Sequence, residues 1–316
     1  MEQNIKIFLE KLKDAKNIAI MGHKNPDGDS FCSVLALAKM IELNYGVRPL
    51  CVYDGNIPNY LDAVPLRSWA KYFERVDLEQ SCDLVILLDY GTPRHIGGAM
   101  PLVEKAKFVV EIDHHKNDEH LAQLCINDEN AAAVGQILYR LAKVAGWQTD
   151  SSVNELLAIS VITDTGNFRF VRDGDIMRMI GDLVDDGLNM RDVFDLLRNK
   201  PKKAIIMESG VVHRSEFYYK NRLAVAVVSR ENYKHLDGRG DTVLNLLGSI
   251  EEVEFVAMLK EQKPNQTGVS LRSRTKPVNH IAEALGGGGH EKAAGAVIND
   301  TLENVKAKVI ALFKGE

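Results

Sequence analysis

Hydrophobic positions along the chain fall into two kinds of block. Short, nearly continuous apolar runs occupy 17–21, Leu50–Tyr53, 83–88 and 108–112, as expected for strands covered on both faces. Between them, apolar residues recur at helical spacing. Ile5, Phe8, Leu9 and Leu12 mark an amphipathic N-terminal stretch, and Phe31, Val34, Leu35, Ala38 and Ile41 share one face of a helix over 29–45 that Gly46 ends. Further helices are predicted over 131–145, 153–161, 175–186 and 190–199. Strands alternating with helices imply a parallel sheet with right-handed crossovers.

The pattern changes after the polar break Asn199-Lys200-Pro201-Lys202-Lys203. A helix to about Gly210 bridges to a second region. There, strands are predicted over 223–229, 253–260, 267–274 and Ala293–Ile298, with helices over 278–285 and 302–313. The whole is α/β: a parallel-sheet N-terminal domain and a smaller α/β C-terminal one.

Composition sharpens this picture. A length of 316 residues suits two domains, and 45% hydrophobic with 26% charged residues is ordinary for a globular chain. The net charge of −5 argues against a coat for long duplex nucleic acid. Residues 1–213 carry 24 basic against 31 acidic side chains, so the acidic part is where metal is expected. No stretch approaches the ~20 apolar residues of a membrane helix. The first sixteen residues lack the apolar core of a signal peptide. Cys32, Cys51, Cys82 and Cys125 form no CxxC pair and read as buried thiols in a reducing compartment. A cytoplasmic protein is expected.

Four polar clusters sit where apolar segments end. The first, Gly22-His23-Lys24-Asn25-Pro26-Asp27-Gly28-Asp29-Ser30, supplies an imidazole and two carboxylates in a loop that Pro26 and Gly28 can fold. Helix capping by Asp29 or Ser30 explains part of it, but not His23 or Asp27. An EF-hand does not fit, because the glycine position holds Ser30 and the twelfth position Ala36. The second is Asp89, after Leu84–Leu88; a carboxylate there is costly unless paired, capping or metal-bound. The third is Asp113-His114-His115. Neighbours on an extended chain point to opposite sides, so one histidine can bind metal while the other faces a substrate. Asp113 can orient a ring. The fourth is Thr163-Asp164-Thr165-Gly166-Asn167-Phe168, where an acid at a helix C-terminus opposes the macrodipole and hints at a cation.

Together His23, Asp27, Asp29, Asp89, His114 and Asp164 are too many ligands for one ordinary metal site and suit two sharing a carboxylate. Nitrogen and oxygen donors without thiolate favour Mn²⁺, with Mg²⁺, Co²⁺ or Fe²⁺ as alternatives. Two cations ~3.5–4 Å apart can deprotonate a bridging water and clamp a phosphate oxygen. A fifth constellation pairs Ser270-Leu271-Arg272-Ser273-Arg274 with Gly286-Gly287-Gly288-Gly289-His290. Glycine-rich backbone can cradle a phosphate and Arg272 or Arg274 can clamp one. Taken singly, the glycines also read as a flexible turn and the arginines as solvated edge charges. The run is no Walker A loop, since no Gly-Lys-Ser/Thr follows.

The ordered set His23-x-x-x-Asp27-x-Asp29, Asp89, Asp113-His114-His115 and Asp164 resembles the DHH phosphoesterase superfamily. Arg272-Ser273, the glycine run with His290, and Glu291-Lys292-Ala293-Ala294-Gly295-Ala296 resemble its DHHA1 domain. The likeness spans almost the entire chain. Its length and direct domain junction look most like the stand-alone bifunctional oligoribonuclease (nanoRNase) and pAp phosphatase group, rather than RecJ-type exonucleases or membrane-bound cyclic di-AMP phosphodiesterases. The resemblance implies a metal-binding catalytic domain over 1–189, a helical linker over 190–212 that lets a cleft open and close, and a substrate-binding domain over 213–316.

It also implies roles. His23, Asp27 and Asp89 hold one Mn²⁺; Asp29, Asp89, His114 and Asp164 hold the second, with Mg²⁺ or Co²⁺ able to replace it. His115 and Asp89 act in catalysis, Asp113 supports them, and Arg272, Ser273, Gly287, Gly288, Gly289 and His290 bind the substrate phosphate or terminal nucleotide. Arg94 lies in a loop that could contribute. Gln136 stands where relatives often carry an acid on the substrate side. The implied reaction is attack of a hydroxide bridging the two cations on very short single-stranded RNA or pAp, with neither membrane nor long duplex as partner, and compatible with a homodimer. A soluble cyclic di-AMP or pApA phosphodiesterase shares every motif. Family II inorganic pyrophosphatases share the metal motifs but lack the glycine–His290 signature. A non-catalytic nucleotide sensor is disfavoured, because all six ligand positions are filled.

Overall fold

The computed structural model describes residues 2–117, 119–171, 173–236 and 240–316. The chain forms two compact units, Met1–Asn199 and Lys200–Glu316, dividing within the stretch read as a linker. In the first unit, β1 (Ile18–Met21), β2 (Leu50–Tyr53), β3 (Ala70–Tyr72), β4 (Leu84–Leu88), β5 (Val109–Asp113) and β6 (Leu124–Asn127) form one sheet. Their order is β3-β2-β1-β4-β5-β6, and every pairing is parallel. Helices α1 (Glu2–Asp14), α2 (Gly28–Tyr45), α3 (Met100–Glu104), α4 (Val134–Ala145), α5 (Ser151–Asp164), α6 (Asp175–Asp185) and α7 (Met190–Arg198) accompany it.

The apolar runs are explained by burial on both faces. Ile18, Ile20, Ile86, Leu88, Val110 and Ile112 pack with residues of α1, α2, α4 and α5, while the alternating Ala19, Met21, Val85, Leu87 and Val109 pack with Leu102 and Val103 of α3. Strand order reverses between β1 and β4. In open parallel sheets, ligands bind in the crevice at the carboxyl ends of such a pair.

Several boundaries differ from the sequence reading. Helix α2 starts at Gly28 and is capped by Asp27, whose carboxylate accepts the Ser30 N–H at 3.2 Å, not by Asp29 or Ser30. A Cβ on Gly28 would lie 2.3 Å from Thr163 Oγ1, so glycine is what lets α2 approach α5. Helix α4 starts at Val134 rather than 131, and its first two amides donate to Asp29. Strands β3 and β6, three and four residues long, carry too few residues to show a period.

In the second unit, β7 (Glu216–Tyr218), β8 (Leu223–Val228), β9 (Phe255–Lys263), β10 (Gln266–Ser273), β11 (Gly288–His290) and β12 (Ala293–Ile298) form a second sheet, ordered β11-β12-β10-β9-β8-β7. Only β8 and β9 pair in parallel. The helices are α8 (Lys202–His213), α9 (Arg230–Tyr233), α10 (Asp241–Gly248), α11 (Asn279–Ala284) and α12 (Leu302–Leu312). Leu223, Val225 and Ala257 pack with α11 and α12; Ala224, Ala226 and Val256 pack with α8 and α10. The glycine run is an edge strand as well as a loop. Cβ atoms on Gly287 and Gly289 would stand 2.1 Å from Gly295 O and 2.6 Å from Ala294 Cα, so close approach to β12 requires both glycines. Among the described residues, no helix is long and apolar enough to cross a membrane.

Candidate metal centre

All four polar clusters of the first unit meet at the carboxyl edge of β1, β4 and β5. His23 follows β1, Asp89 follows β4, Asp113 ends β5, and Asp164 ends α5. His23 Nε2 lies 3.7 Å from Asp27 Oδ1 and 3.8 Å from Asp89 Oδ2. His114 Nε2 lies 3.5 Å from Asp89 Oδ1, 3.6 Å from Asp164 Oδ2 and 3.9 Å from Asp29 Oδ2. These separations are long for hydrogen bonds. They approach those of atoms sharing a cation, since bonds of ~2.0–2.2 Å place two ligands about 3–3.6 Å apart. The donors form two groups able to hold metal, His23–Asp27–Asp89 and Asp29–His114–Asp164, with Asp89 also beside His114 and His115.

The rings differ in how they are held. His23 Nδ1 sits 2.9 Å from the Lys24 carbonyl and His114 Nδ1 3.2 Å from the Ala131 carbonyl, so each presents Nε2 to the carboxylates. A backbone anchor on one nitrogen, orienting the other, is the usual arrangement of a metal-binding histidine. His115 is anchored through the same nitrogen but by a carboxylate: its Nδ1 donates to Asp113 Oδ1 at 2.9 Å. Asp113 is fully buried and accepts five hydrogen bonds, from the N–H groups of Tyr90, Gly91, His114 and His115 and from that ring. It is the brace on which the loops after β4 and β5 turn.

Asp29 is 1% exposed and held just as firmly. Oδ1 accepts the hydroxyls of Ser33 (2.9 Å) and Ser160 (2.6 Å), and Oδ2 accepts the Val134 N–H at 2.7 Å. Asp89 is different. It is buried, its backbone is left-handed (φ 51°), and Oδ1 has no hydrogen-bond partner. A strained, buried, unsatisfied carboxylate marks a functional position. Without a cation the charges conflict. Burial and then the Asp29 charge lift Asp89 well above the usual carboxylate range, and the same two effects push Asp164 up to about 7. Burial lowers His23, but Asp27 and Asp89 outweigh it and raise the ring to about 9. Burial likewise opposes ionisation of Asp113, yet bonds from His115 and the backbone hold it down to about 2. The donor set and the unsatisfied Asp89 oxygen both fit divalent cations.

Several contributors escaped the sequence reading. Ser33 and Ser160 are small polar residues on otherwise apolar helices, which was the available signal. Ser30 Oγ accepts the His23 N–H, and the buried Asp54 accepts the Gly98 N–H at 2.8 Å, bracing the neighbouring loops. Gln136 is buried and accepts the Ala132 N–H at 2.8 Å, bracing the start of α4. Cys125 is half-buried rather than buried, and lies 3.7 Å from Glu111. Arg94 lies in an exposed turn.

In the second unit, strand register sets Arg272, Ala293 and His290 in one row, with the alanine between the other two. Gly288 and Gly289 are exposed beside them on the sheet edge. Arg272 Nη2 donates to Asp241 Oδ1 at 3.1 Å, and Ser273 Oγ donates to the Lys276 carbonyl. Arg274 serves structure: its guanidinium caps the carbonyls of Gly248, Ile250 and Glu251 after α10.

Comparison with known proteins agrees with this architecture. Residues 17–162 match the DHH family, N-terminal domain, and residues 221–315 the DHHA1 domain. The chain is 26% identical to the bifunctional oligoribonuclease and PAP phosphatase NrnA of Thermus thermophilus, over 99% of this chain and 94% of that protein. It is 23% identical to the Bacillus subtilis protein of the same name, over 94% and 95%. It is also 23% identical to the cyclic-di-AMP phosphodiesterase GdpP of Bacillus subtilis, over 97% of this chain but 49% of that one. An exopolyphosphatase-related protein from Bacteroides fragilis has the same fold, with a TM-score of 0.90 at 22% identity, covering 99% of this chain and 97% of that one.

Proposed function

The chain belongs to the DHH family, and from that premise we propose that it is a divalent-metal phosphoesterase acting on very short RNA and on pAp. The observation that carries this reading is Asp89: a buried carboxylate with an unsatisfied oxygen, set between two groups of histidine and aspartate ligands. In this reading His23, Asp27 and Asp89 hold one cation, and Asp29, Asp89, His114 and Asp164 the other, with Mn²⁺ favoured by the donor set. Bound cations there supply Lewis acidity, making water nucleophilic at neutral pH and neutralising phosphate charge.

The chain's own residues do the rest. Ser33, Ser160 and the Val134 amide fix Asp29 in place, so the site is ordered before substrate arrives. His115 has Nδ1 committed to Asp113, and Nε2 is the atom that meets a phosphate oxygen as charge develops. In the cation-free protein burial lowers this ring's pKa, but Asp113 and Asp89 raise it beyond the usual value. In the second unit Arg272 exchanges Asp241 for a phosphate, and His290 and Ser273 with the Gly287–Gly288–Gly289 backbone hold the terminal nucleotide. The likeness to oligoribonuclease and PAP phosphatase proteins supports short RNA and pAp as substrates. The relative that hydrolyses cyclic di-AMP supports a second reading, a cyclic or linear dinucleotide phosphodiesterase with the same metal residues.

The test is release of mononucleotide from a diribonucleotide, and of phosphate from pAp, with Mn²⁺ added or chelated. Asp89→Asn is the decisive variant, since asparagine tolerates the left-handed backbone and removes the charge. Turnover should need the metal and vanish in Asp89→Asn while the melting curve stays cooperative. Retained turnover in that variant would contradict the two-cation reading.

A further inference from the structure

A second constellation of donors lies below the carboxyl edge and takes no part in the reaction described above. Glu111 is in the middle of β5, fully buried, on the face it shares with Val109 rather than with Val110 and Ile112. Its register partner on β6 is Cys125, so parallel pairing sets carboxylate and thiol side by side. Sγ lies 3.7 Å from Glu111 Oε2. The loop after β5 brings His120 over the same carboxylate, with Nδ1 at 3.0 Å from Oε2 and 3.2 Å from Oε1. One donor atom from each residue falls within 4.8 Å of the other two.

We propose that Glu111, His120 and Cys125 form a third cation site, for a borderline-soft divalent ion of the zinc class. The donor set differs in kind from the catalytic one. It contributes a thiol beside an imidazole and a carboxylate, which selects against Mg²⁺ and Mn²⁺ and for zinc-like ions. Bonds of ~2.0–2.3 Å at tetrahedral angles place ligand atoms about 3.3–3.8 Å apart. Two of the three separations, 3.0 Å from His120 and 3.7 Å from Cys125 to Glu111 Oε2, already lie near that range, and the third is within 4.8 Å. The supporting contacts are also present. The Tyr90 hydroxyl donates to Glu111 Oε2 at 2.6 Å and Asn117 Nδ2 donates to that hydroxyl at 3.4 Å, which orients the carboxylate. His120 is partly exposed, which gives an ion a way in from solvent. Without metal, burial and the Glu111 charge hold the thiol protonated up to about 11. Binding therefore breaks the S–H bond, forms a metal–thiolate bond and releases one proton to solvent. An ion here pins the loop carrying His120 to β5 and β6, at the carboxylate that Tyr90, the neighbour of Asp89, also holds.

Cobalt substitution tests this without reference to activity. Co²⁺ bound by thiolate gives an intense near-ultraviolet charge-transfer band; Co²⁺ on nitrogen and oxygen ligands alone does not. Full-length protein titrated with Co²⁺ should develop the band. Cys125→Ser should abolish it and bind one ion fewer by calorimetry, His120→Ala should weaken it at least tenfold, and Zn²⁺ should displace it. Failure of the band to appear in folded wild-type protein at saturating Co²⁺ would overturn the proposal, and so would a band that survives in Cys125→Ser. Either result leaves the catalytic reading untouched, since none of the three residues belongs to that centre.

Discussion

At the residue scale, the centre depends on side chains that hold ligands as much as on the ligands. His23, Asp27, Asp29, Asp89, His114 and Asp164 were legible in the sequence because histidine and aspartate stood out where apolar runs stopped. Ser33 and Ser160 were not, because a hydroxyl on a buried helix reads as a self-satisfied residue until its partner's position is known. Ser160 donates one of the bonds that fix Asp29. Such outer partners are typically worth about 10–100-fold in metal affinity. Ser160→Ala should therefore weaken Mn²⁺ binding by that range in a calorimetric titration while the fold persists; unchanged affinity would mean that Ser33 and the α4 amides suffice. Acidity gives a second check. His23 is raised to about 9 in the cation-free protein, so the ring is protonated below that pH and a cation must displace the proton. Mn²⁺ affinity should keep rising with pH through neutrality toward about 9, with proton release seen as a dependence of the heat on the buffer. A plateau near the ordinary histidine value would show that Asp27 and Asp89 do not hold that proton.

At the element scale, legibility followed length and burial. Strands β1, β4 and β5 are buried on both faces and announced themselves as apolar runs. Their ends carry His23, Asp89 and Asp113, which is why those polar positions stood out. The edge strands β3, β6 and β11 did not, because three or four residues with one partner carry no period, and the glycines of β11 imitate a loop. Glu111 shows the same limit from inside a strand: within an apolar run its charge was invisible as a site until β6 supplied Cys125 and the loop His120. Helix α1 was visible from Ile5, Phe8 and Leu12, all buried against the first core. Phe8 is fully buried, and Phe→Ala in such a setting costs about 3–5 kcal/mol. Phe8→Ala should lower unfolding free energy by that amount in urea without altering the pH dependence of metal binding. A loss below 1 kcal/mol would place α1 outside the cooperative core.

At the scale of the whole molecule, the acidic unit gathers histidine and carboxylate groups that could hold metal, and the smaller unit has a sheet edge that sets Arg272 and His290 in one row. Composition foretold the first part, since the acidic excess lies in the first 213 residues. The row could not be read from sequence, because Arg272 and His290 come into line only through the register of β12 with its two neighbours. The most direct measurement is hydrolysis by the pure protein, with Mn²⁺, of di- to pentaribonucleotides, a long RNA, pAp, cyclic di-AMP, pApA and pyrophosphate, all at one concentration. The account predicts metal-dependent turnover that is fastest for the shortest RNAs and pAp and falls steeply for the long RNA. Turnover confined to cyclic di-AMP and pApA would contradict that substrate assignment, and no turnover of any compound by protein with both cations bound would contradict the enzyme itself.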